Sequence, residues 1–510
     1  MACSGRVVMY RILQLQKWKP LQNVYLWRFD SVNSFSGCSR SNINQPYKER
    51  RNVLNYRDFL KSKEIESINA GFKIDSEQLN PMLFPFQRDI VKWAIQKGKA
   101  AIFSDCGTGK TMMQLEFAHQ VVNRTGGKAL VVAPLSVVSQ TKKEGLKFGI
   151  PVNICRTHKD VKDGINITNY EMLDHFDANA FICVVLDESS ILKSFTSQTR
   201  NLLIDKFQRT PYRLACTATP SPNDQSEIGN HAEFLGIMSR TEMLATYFIH
   251  DGSDTSKWRL KGYGEKKFWE WVATWAICVR NPADLGYTND GFELPKLNLI
   301  EKIVSSPPQE GMLVAIRAET LSERRAARKE SMDRRIDVAK KLVDASPEQW
   351  LIWCDFNAES KALKEAIKDS VEVVGSDNPD YKAQTALDFA DGKIHALVSK
   401  ASIYGFGMNF QTCHNMIFCG ISDSYEMFYQ AVRRCWRYGQ EHDVNVYIAI
   451  SEAELNVLDN IKRKQAQMDK MQDNMVSLMH DVTMSEIRHT TRITDTYDPE
   501  ERMVIPEWIV

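Results

Sequence analysis

The segment Ala100 to Thr111, AAIFSDCGTGKT, constrains the fold of this chain more than any other stretch. A short apolar strand runs into a glycine-containing loop that closes on Gly109-Lys110-Thr111, and a helical pattern from Met112 to Val122 follows. Strand, loop and helix in this order form the context that a phosphate-binding loop requires. Glycines let backbone N–H groups turn inward around phosphate oxygens, and the helix N-terminus adds the positive end of its dipole. Lys110 would neutralise terminal phosphate charge and Thr111 would offer its hydroxyl to Mg²⁺, with Asp105, Cys106, Gly107, Thr108 and Gly109 lining the nucleotide. Ser104 stands where the G-x-x-x-x-G-K-[ST] pattern has its first glycine. From this segment alone, a plain glycine-rich turn therefore stays open.

A second element answers that alternative. Cys183 to Glu188, CVVLDE, is an apolar run ending in two acids, about one βαβαβ distance downstream. A buried strand that delivers Asp and then Glu to its C-terminal end supplies a metal carboxylate and a neighbouring base. Asp187 is assigned to Mg²⁺, largely through water, and Glu188 to orienting and deprotonating the attacking water. Alone, an acidic pair ending a strand reads as a solvated turn. After a phosphate loop at this spacing it reads as a hydrolytic site for ATP with Mg²⁺.

The chain has 510 residues, more than one hydrophobic core normally serves, so two or three domains are expected. Its 43% apolar and 25% charged residues exclude disorder throughout. Lys+Arg (65) nearly balance Asp+Glu (64), so global charge does not argue for a polyanionic partner. The 11 cysteines contain no C-x-x-C pair, and several lie in apolar strand-like runs, which suggests reduced, buried thiols and a cytoplasmic protein. No apolar run approaches the roughly 20 residues a membrane span needs. Residues 1–52 form a basic extension, expected to be disordered, with an organelle transit peptide as the alternative. A helix-like stretch, Tyr56 to Ile68, leads into the informative region.

In the far half, Gln349 to Asp355 reads as a buried strand, Glu359 to Lys368 as a helix and His395 to Ser399 as another strand. Strands alternating with helices again indicate a doubly wound sheet. Arg434 and Arg437 lie three apart and are expected on one face of a helix, aimed into a cleft, while Arg433 reads as solvated. Planar, permanently charged Arg suits the spread negative charge of a phosphoryl-transfer transition state.

With these elements in order, the sequence resembles superfamily 2 helicases, more narrowly the Swi/Snf-like, DEAD/DEAH-box-type proteins of phages and prophages, over about Leu83 to Ile450. Leu83-Phe84-Pro85-Phe86-Gln87 resembles the adenine-recognising segment, with Gln87 reading the adenine edge. Val131 to Ser136 and Ile167 to Glu171 resemble strand ends that grip a nucleic-acid backbone, which implies contacts at Pro134, Ser136, Thr168 and Asn169. Asp187-Glu188-Ser189-Ser190 stands where the family carries DEAH or DEAD. Thr217-Ala218-Thr219-Pro220 is similar to the coupling motif, so Thr217, Thr219 and Gln430 are candidate coupling residues. Tyr404 to Asn409 resembles the glycine-bearing motif of the second lobe, with Gly407 near the nucleotide. Gln430 to Gln440 is similar to the Q-x-x-x-R-x-x-R-x-G-Q signature of Swi/Snf-type enzymes and implies Arg434 and Arg437 as catalytic fingers.

The resemblance implies an α/β fold with two tandem RecA-like phosphate-loop lobes and helical insertions. The expected divisions are a first lobe at 53–240, an accessory segment at 241–300, a second lobe at 301–455 and a C-terminal helix and tail at 456–510. The implied activity is a nucleic-acid-dependent ATPase that works as a helicase or translocase, most simply on DNA. A duplex motor that never separates strands and an ATP-gated clamp are the alternatives. Two further features read as packing or solvation. Phe268-Trp269-x-Trp271-x-x-x-Trp275 reads as core rather than base-stacking surface, and the basic run Arg324 to Arg335 as a solvated helix. Leu455 to Met479 reads as a helix packed on the second lobe through a methionine stripe. The ending Ile493 to Val510 is uninformative.

Overall fold

The computed structural model describes residues 69–194, 196–251, 254–306, 317–405 and 408–488. The basic extension 1–52, the stretch Tyr56 to Ile68, Gly407 and the ending Ile493 to Val510 lie outside these residues.

Alternation of apolar strands and amphipathic helices produces two parallel sheets. The first uses β1 (Lys99–Ser104), β2 (Lys128–Ala133), β3 (Val152–Ile154), β4 (Gly164–Asn169), β5 (Cys183–Asp187) and β6 (Tyr212–Thr217). After β6 an antiparallel hairpin, β7 (Phe248–Asp251) with β8 (Asp254–Leu260), stands outside it, and β9 (Ala276–Val279) returns to the sheet edge beside β1. The order is β3-β4-β2-β5-β6-β1-β9, all parallel. The second sheet contains β10 (Leu297–Val304), β11 (Trp350–Cys354), β12 (Ser370–Val373), β13 (Ala396–Lys400), β14 (Asn415–Cys419) and β15 (Val444–Ser451), in the order β10-β15-β14-β11-β13-β12. Parallel strands need helical crossovers on both faces, so their sequences are apolar throughout rather than alternating. In β2, Leu130 and Val132 enter one core while Ala129, Val131 and Ala133 enter the other, and all five are fully buried. The result is an α/β protein with two tandem RecA-like lobes, each carrying a crevice at the carboxyl ends of its strands.

The tryptophan-rich segment is core. Trp269, Trp271 and Trp275 are 0%, 5% and 1% exposed, on and just beyond the helix Glu265–Ala273. Two other readings need correction. The basic run is not a solvated helix. It forms helices Leu321–Glu330 and Met332–Asp344, and two of its arginines are buried. Arg328 pairs with Glu454 at 2.9 Å and with Asp355 at 2.5 Å, and Arg335 pairs with Glu359 at 2.5 Å with neither side chain exposed. Interspersed acids suggested solvation, but the partners of these arginines come from elsewhere in the second lobe.

The methionine helix, Leu455–Arg488, does not pack on the second lobe alone. Near its start, Lys462 bonds Glu301 at 2.5 Å and Asn456 bonds the Ala318 carbonyl at 2.7 Å. Further on, Asn474 donates to Glu265 of the tryptophan-bearing helix at 3.1 Å and Glu486 accepts from the buried first-lobe Lys97 at 2.8 Å. Met468, Met471, Met475 and Met479 are buried in the core cluster that also holds Trp269 and Trp275. At 1.5 Å per residue the helix is about 50 Å long, enough to serve both lobes.

The Arg335–Glu359 pair gives a stability test. Removing one member leaves an uncompensated buried charge, so Arg335→Ala should cost about 3–5 kcal/mol in urea unfolding. Lys340→Ala, which breaks a pair with both side chains nearly half exposed, should cost less than about 1 kcal/mol. Equal losses in the two variants would contradict this account.

Candidate active site

Strand β1 ends in a loop whose backbone only glycine accommodates at two points. Gly107 and Gly109 hold φ of +92° and +84°. A Cβ on Gly109 would lie 2.3 Å from Gln87 Nε2, and one on Gly107 would lie 2.8 Å from the Tyr438 backbone nitrogen. The loop therefore touches both the first-lobe helix Pro85–Lys97 and the second lobe. Lys110, the first residue of helix Lys110–Thr125, folds its ammonium back to donate to the Ser104 and Asp105 carbonyls at 2.8 and 3.0 Å. The Ser104 and Thr108 hydroxyls are bonded to each other across the loop. Gln87 does not stand free to read a base edge. It is 4% exposed, donates to the Thr108 carbonyl at 2.8 Å and accepts from the Phe84 N–H at 3.0 Å, so its amide braces the phosphate loop.

Strand β5 brings the acids to the same crevice. Asp187 is buried, and its Oδ1 accepts from Gln114 Nε2 at 2.8 Å and from the Glu188 N–H at 3.2 Å. Burial raises its pKa, against the lowering effects of Gln114 and Lys110. Glu188 has φ of +51°, a left-handed backbone that costs a non-glycine residue roughly 1–3 kcal/mol and that clusters at functional sites. Its Oε2 accepts from Thr217 Oγ1 at 3.3 Å and from Gln430 Nε2 at 3.4 Å, one from each lobe. Burial pushes the Glu188 carboxyl up to about 7, with Lys110 and Arg434 pulling it down and Asp187 pushing it up. The acid thus titrates near neutrality. Thr111 and Asp187 carry the hydroxyl and carboxylate oxygens that suit Mg²⁺, and among the described residues the side-chain bonds of Asp187 fall on Oδ1.

The arginines do not lie on a helix. The helix Tyr425–Val432 stops before them, and Arg433 to Gly439 forms turns. Facing is nevertheless achieved. Arg434 donates Nη2 to Gln430 Oε1 at 3.0 Å and Nη1 to the Met408 carbonyl at 3.1 Å, and Arg437 donates to the same carbonyl at 3.3 Å. Gln430, fully buried, joins Arg434 to Glu188, and Cys106 Sγ lies 4.0 Å from its Oε1. Burial and the neighbouring Arg434 lower the Arg437 pKa to about 10, leaving it charged at neutral pH.

Arg433 was expected in solvent, and this too is corrected. It is 3% exposed and forms an ion pair with Asp105 of the phosphate loop, which also accepts from the Tyr429 hydroxyl. The sequence left no signal for that contact beyond a third arginine in the run. Gln114 was also missed. One helical turn after Lys110, a polar residue on an otherwise apolar face was the available signal.

The residues expected on a nucleic-acid backbone are divided. Pro134 and Ser136 stand at the start of helix Leu135–Lys147, beyond the end of β2. Thr168 and Asn169 end β4 but are 1% and 7% exposed, and Asn169 Nδ2 is spent on Glu171 at 2.5 Å. Packing of β4 between β3 and β2 withdraws Thr168 from the surface. Thr217 also accepts from the Thr219 N–H at 3.1 Å, so this turn reaches Glu188 directly.

Residues 86–243 match the SNF2-related domain and residues 334–439 match the helicase conserved C-terminal domain. The DNA annealing helicase and endonuclease ZRANB3 of Mus musculus is 25% identical over 178 residues, which cover 31% of this chain and 16% of that protein. The chain thus matches less than a fifth of that relative's length. A phosphate loop, a strand-end acid pair and an arginine turn meet where these two matched regions face each other, so the chain carries an SNF2-related domain followed by a helicase conserved C-terminal domain.

Proposed function

We propose that this chain hydrolyses ATP with Mg²⁺ when engaged on DNA and uses the cycle to move along it. The observation that carries this reading is the position of Glu188, whose carboxylate is reached by Thr217 from one lobe and Gln430 from the other. A base held by both lobes is competent only when they are together, which ties hydrolysis to closure. In this reading the backbone amides of Asp105 to Gly109 and the Lys110 ammonium bind the phosphates. Thr111 and Asp187 would hold Mg²⁺, which when bound would neutralise charge developing between the terminal phosphates. Glu188 takes the proton of the attacking water, while Arg434 and Arg437 meet the charge that develops on the transferred phosphoryl group. Thr217 and Thr219 connect that event to the strand ends at Pro134 and Ser136, where the backbone of the DNA would lie. The setting suggested by the sequence resemblance is a phage or prophage enzyme with a DEAD/DEAH-type acidic motif, acting in the cytoplasm.

Turnover measured with single-stranded DNA, duplex DNA and RNA, beside strand displacement on a tailed duplex, separates a helicase from a duplex motor. Lack of stimulation by any nucleic acid would reject both. Glu188→Gln should keep ATP binding and lose stimulated turnover, and near-normal turnover would remove the assigned base. Because the active form is the carboxylate and its pKa is raised, wild-type kcat should climb with pH through about 7 and fall as the acid is protonated below it. Arg434 lowers that pKa, so in Arg434→Ala the limb should move to higher pH while kcat falls by roughly 10³-fold. Arg437→Ala should likewise lower kcat far more than ATP affinity, and an unchanged kcat in both arginine variants would refute the finger assignment.

A further inference from the structure

A phosphate loop that carries its own carboxylate repels the anion it is meant to hold, unless a cation neutralises that acid. Asp105 is such an acid, one residue beyond β1. Its Oδ1 accepts from the Cys106 N–H at 2.7 Å and from the Tyr429 hydroxyl, and its Oδ2 takes the Arg433 guanidinium. Both side-chain partners come from the second lobe, four residues apart at the end of helix Tyr425–Val432.

The guanidinium has little freedom to do anything else. Its carbon sits 5.4 Å from the Tyr429 ring centroid and 4.5 Å from that of Trp436. Arg433 also donates to the Tyr429 oxygen and the Trp436 carbonyl, both at 3.3 Å. Trp436 is in turn anchored by its indole N–H on the Pro295 carbonyl at 2.7 Å. A planar cation packed against two rings and paired with a carboxylate is fixed in orientation as well as position. The two arginines that the proposed mechanism uses, Arg434 and Arg437, follow it in sequence.

The geometry points to Arg433 as a positioning residue, whose ion pair with Asp105 sets the register of the Arg434–Arg437 turn against the phosphate loop. It does not touch the reacting atoms. Arg433 spends its charge on the loop's own acid, leaving Lys110 and the other two arginines for the nucleotide. This inference rests on the ATPase reading for its kinetic consequence, but its structural consequence, lobe registration, does not.

Displacing a reacting group by about 1 Å can cost on the order of 10²-fold in rate. Arg433→Gln and Asp105→Asn should each lower DNA-stimulated kcat by roughly 10- to 100-fold, with KM for ATP within about threefold in Asp105→Asn and raised in Arg433→Gln, which leaves the loop acid uncompensated. Because the two residues act as one contact, the double variant should be no slower than the slower single one. A merely structural role would raise KM in Asp105→Asn alongside the loss of kcat, or give additive losses, and either result overturns the proposal. A second measurement needs no turnover. Fluorophores on the two lobes, read without nucleotide, should report a narrow distance in the wild type and a broadened or longer one in both single variants. An unchanged distribution in the variants would also overturn it. If the wild type showed the narrow distance but no DNA-stimulated hydrolysis, the ATPase reading would fail while the registration stood.

Discussion

Charge taken out of water at the seam between the two sheets dominates this molecule. Asp105, Asp187, Glu188 and Glu426 face Lys110, Lys193, Arg433, Arg434 and Arg437 there, and neither set is tolerable in a low-dielectric crevice without the other. The first lobe contributes most of the acids near the loop, and the second contributes the arginines. Closure is therefore written into the charge distribution. Lys193 of the first lobe pairs with Glu426 of the second, Arg433 with Asp105, and Gln430 bridges Glu188 to Arg434. The raised affinity of Glu188 for a proton follows from the same burial, which makes the seam both the adhesive and the reactive part of the structure.

The residues that build the first sheet were legible because their pattern is local. Continuous apolar runs leading into a glycine loop or an acid announce buried parallel strands, and β1 and β5 stand where those runs lie. The phosphate loop and the acid pair could be found for the same reason, since their chemistry is set within a few adjacent residues. Gln87 was expected to read an adenine edge, and its bonds to the Thr108 carbonyl and the Phe84 N–H were not foreseen, because an amide within reach of both a loop carbonyl and a base edge carries no mark of which it will take. In the second lobe the strands Trp350–Cys354 and Ala396–Lys400 were legible, while the partners of Arg328, Arg335 and Arg433 were not. Those partners are 24 or more residues away, beyond any periodicity. The three-residue spacing of Arg434 and Arg437 suggested a shared helical face, whereas the helix ends at Val432 and a turn delivers them. Spacing constrained which side chains met, and the backbone found a different route.

The aromatic residues beside the seam show how packing and electrostatics share the work. Phe84 and Phe86 of the first lobe, Phe292 of the connecting segment and Tyr438 of the arginine turn form a chain of rings, with Phe292 and Tyr438 stacked at 4.7 Å and Phe84 edge-on to Phe292 at 5.2 Å. Apolar contact of this kind is not screened by salt as exposed charge pairs are. The arginine turn is thus held from two sides, by rings on its outer edge and by Asp105 on its inner one.

The long helix Leu455–Arg488 belongs to both halves at once. Its opening turns are bound to second-lobe groups and its later turns to the tryptophan-lined core of the first. A helical rod attached at both ends to bodies that part in the proposed cycle cannot stay fully seated on each. Any opening of the crevice then has to be a swing pivoting near the rod, or must peel one stretch of it away. In the proposed cycle, the amplitude of a single stroke would be bounded by how far that rod lets its two attachment sites diverge.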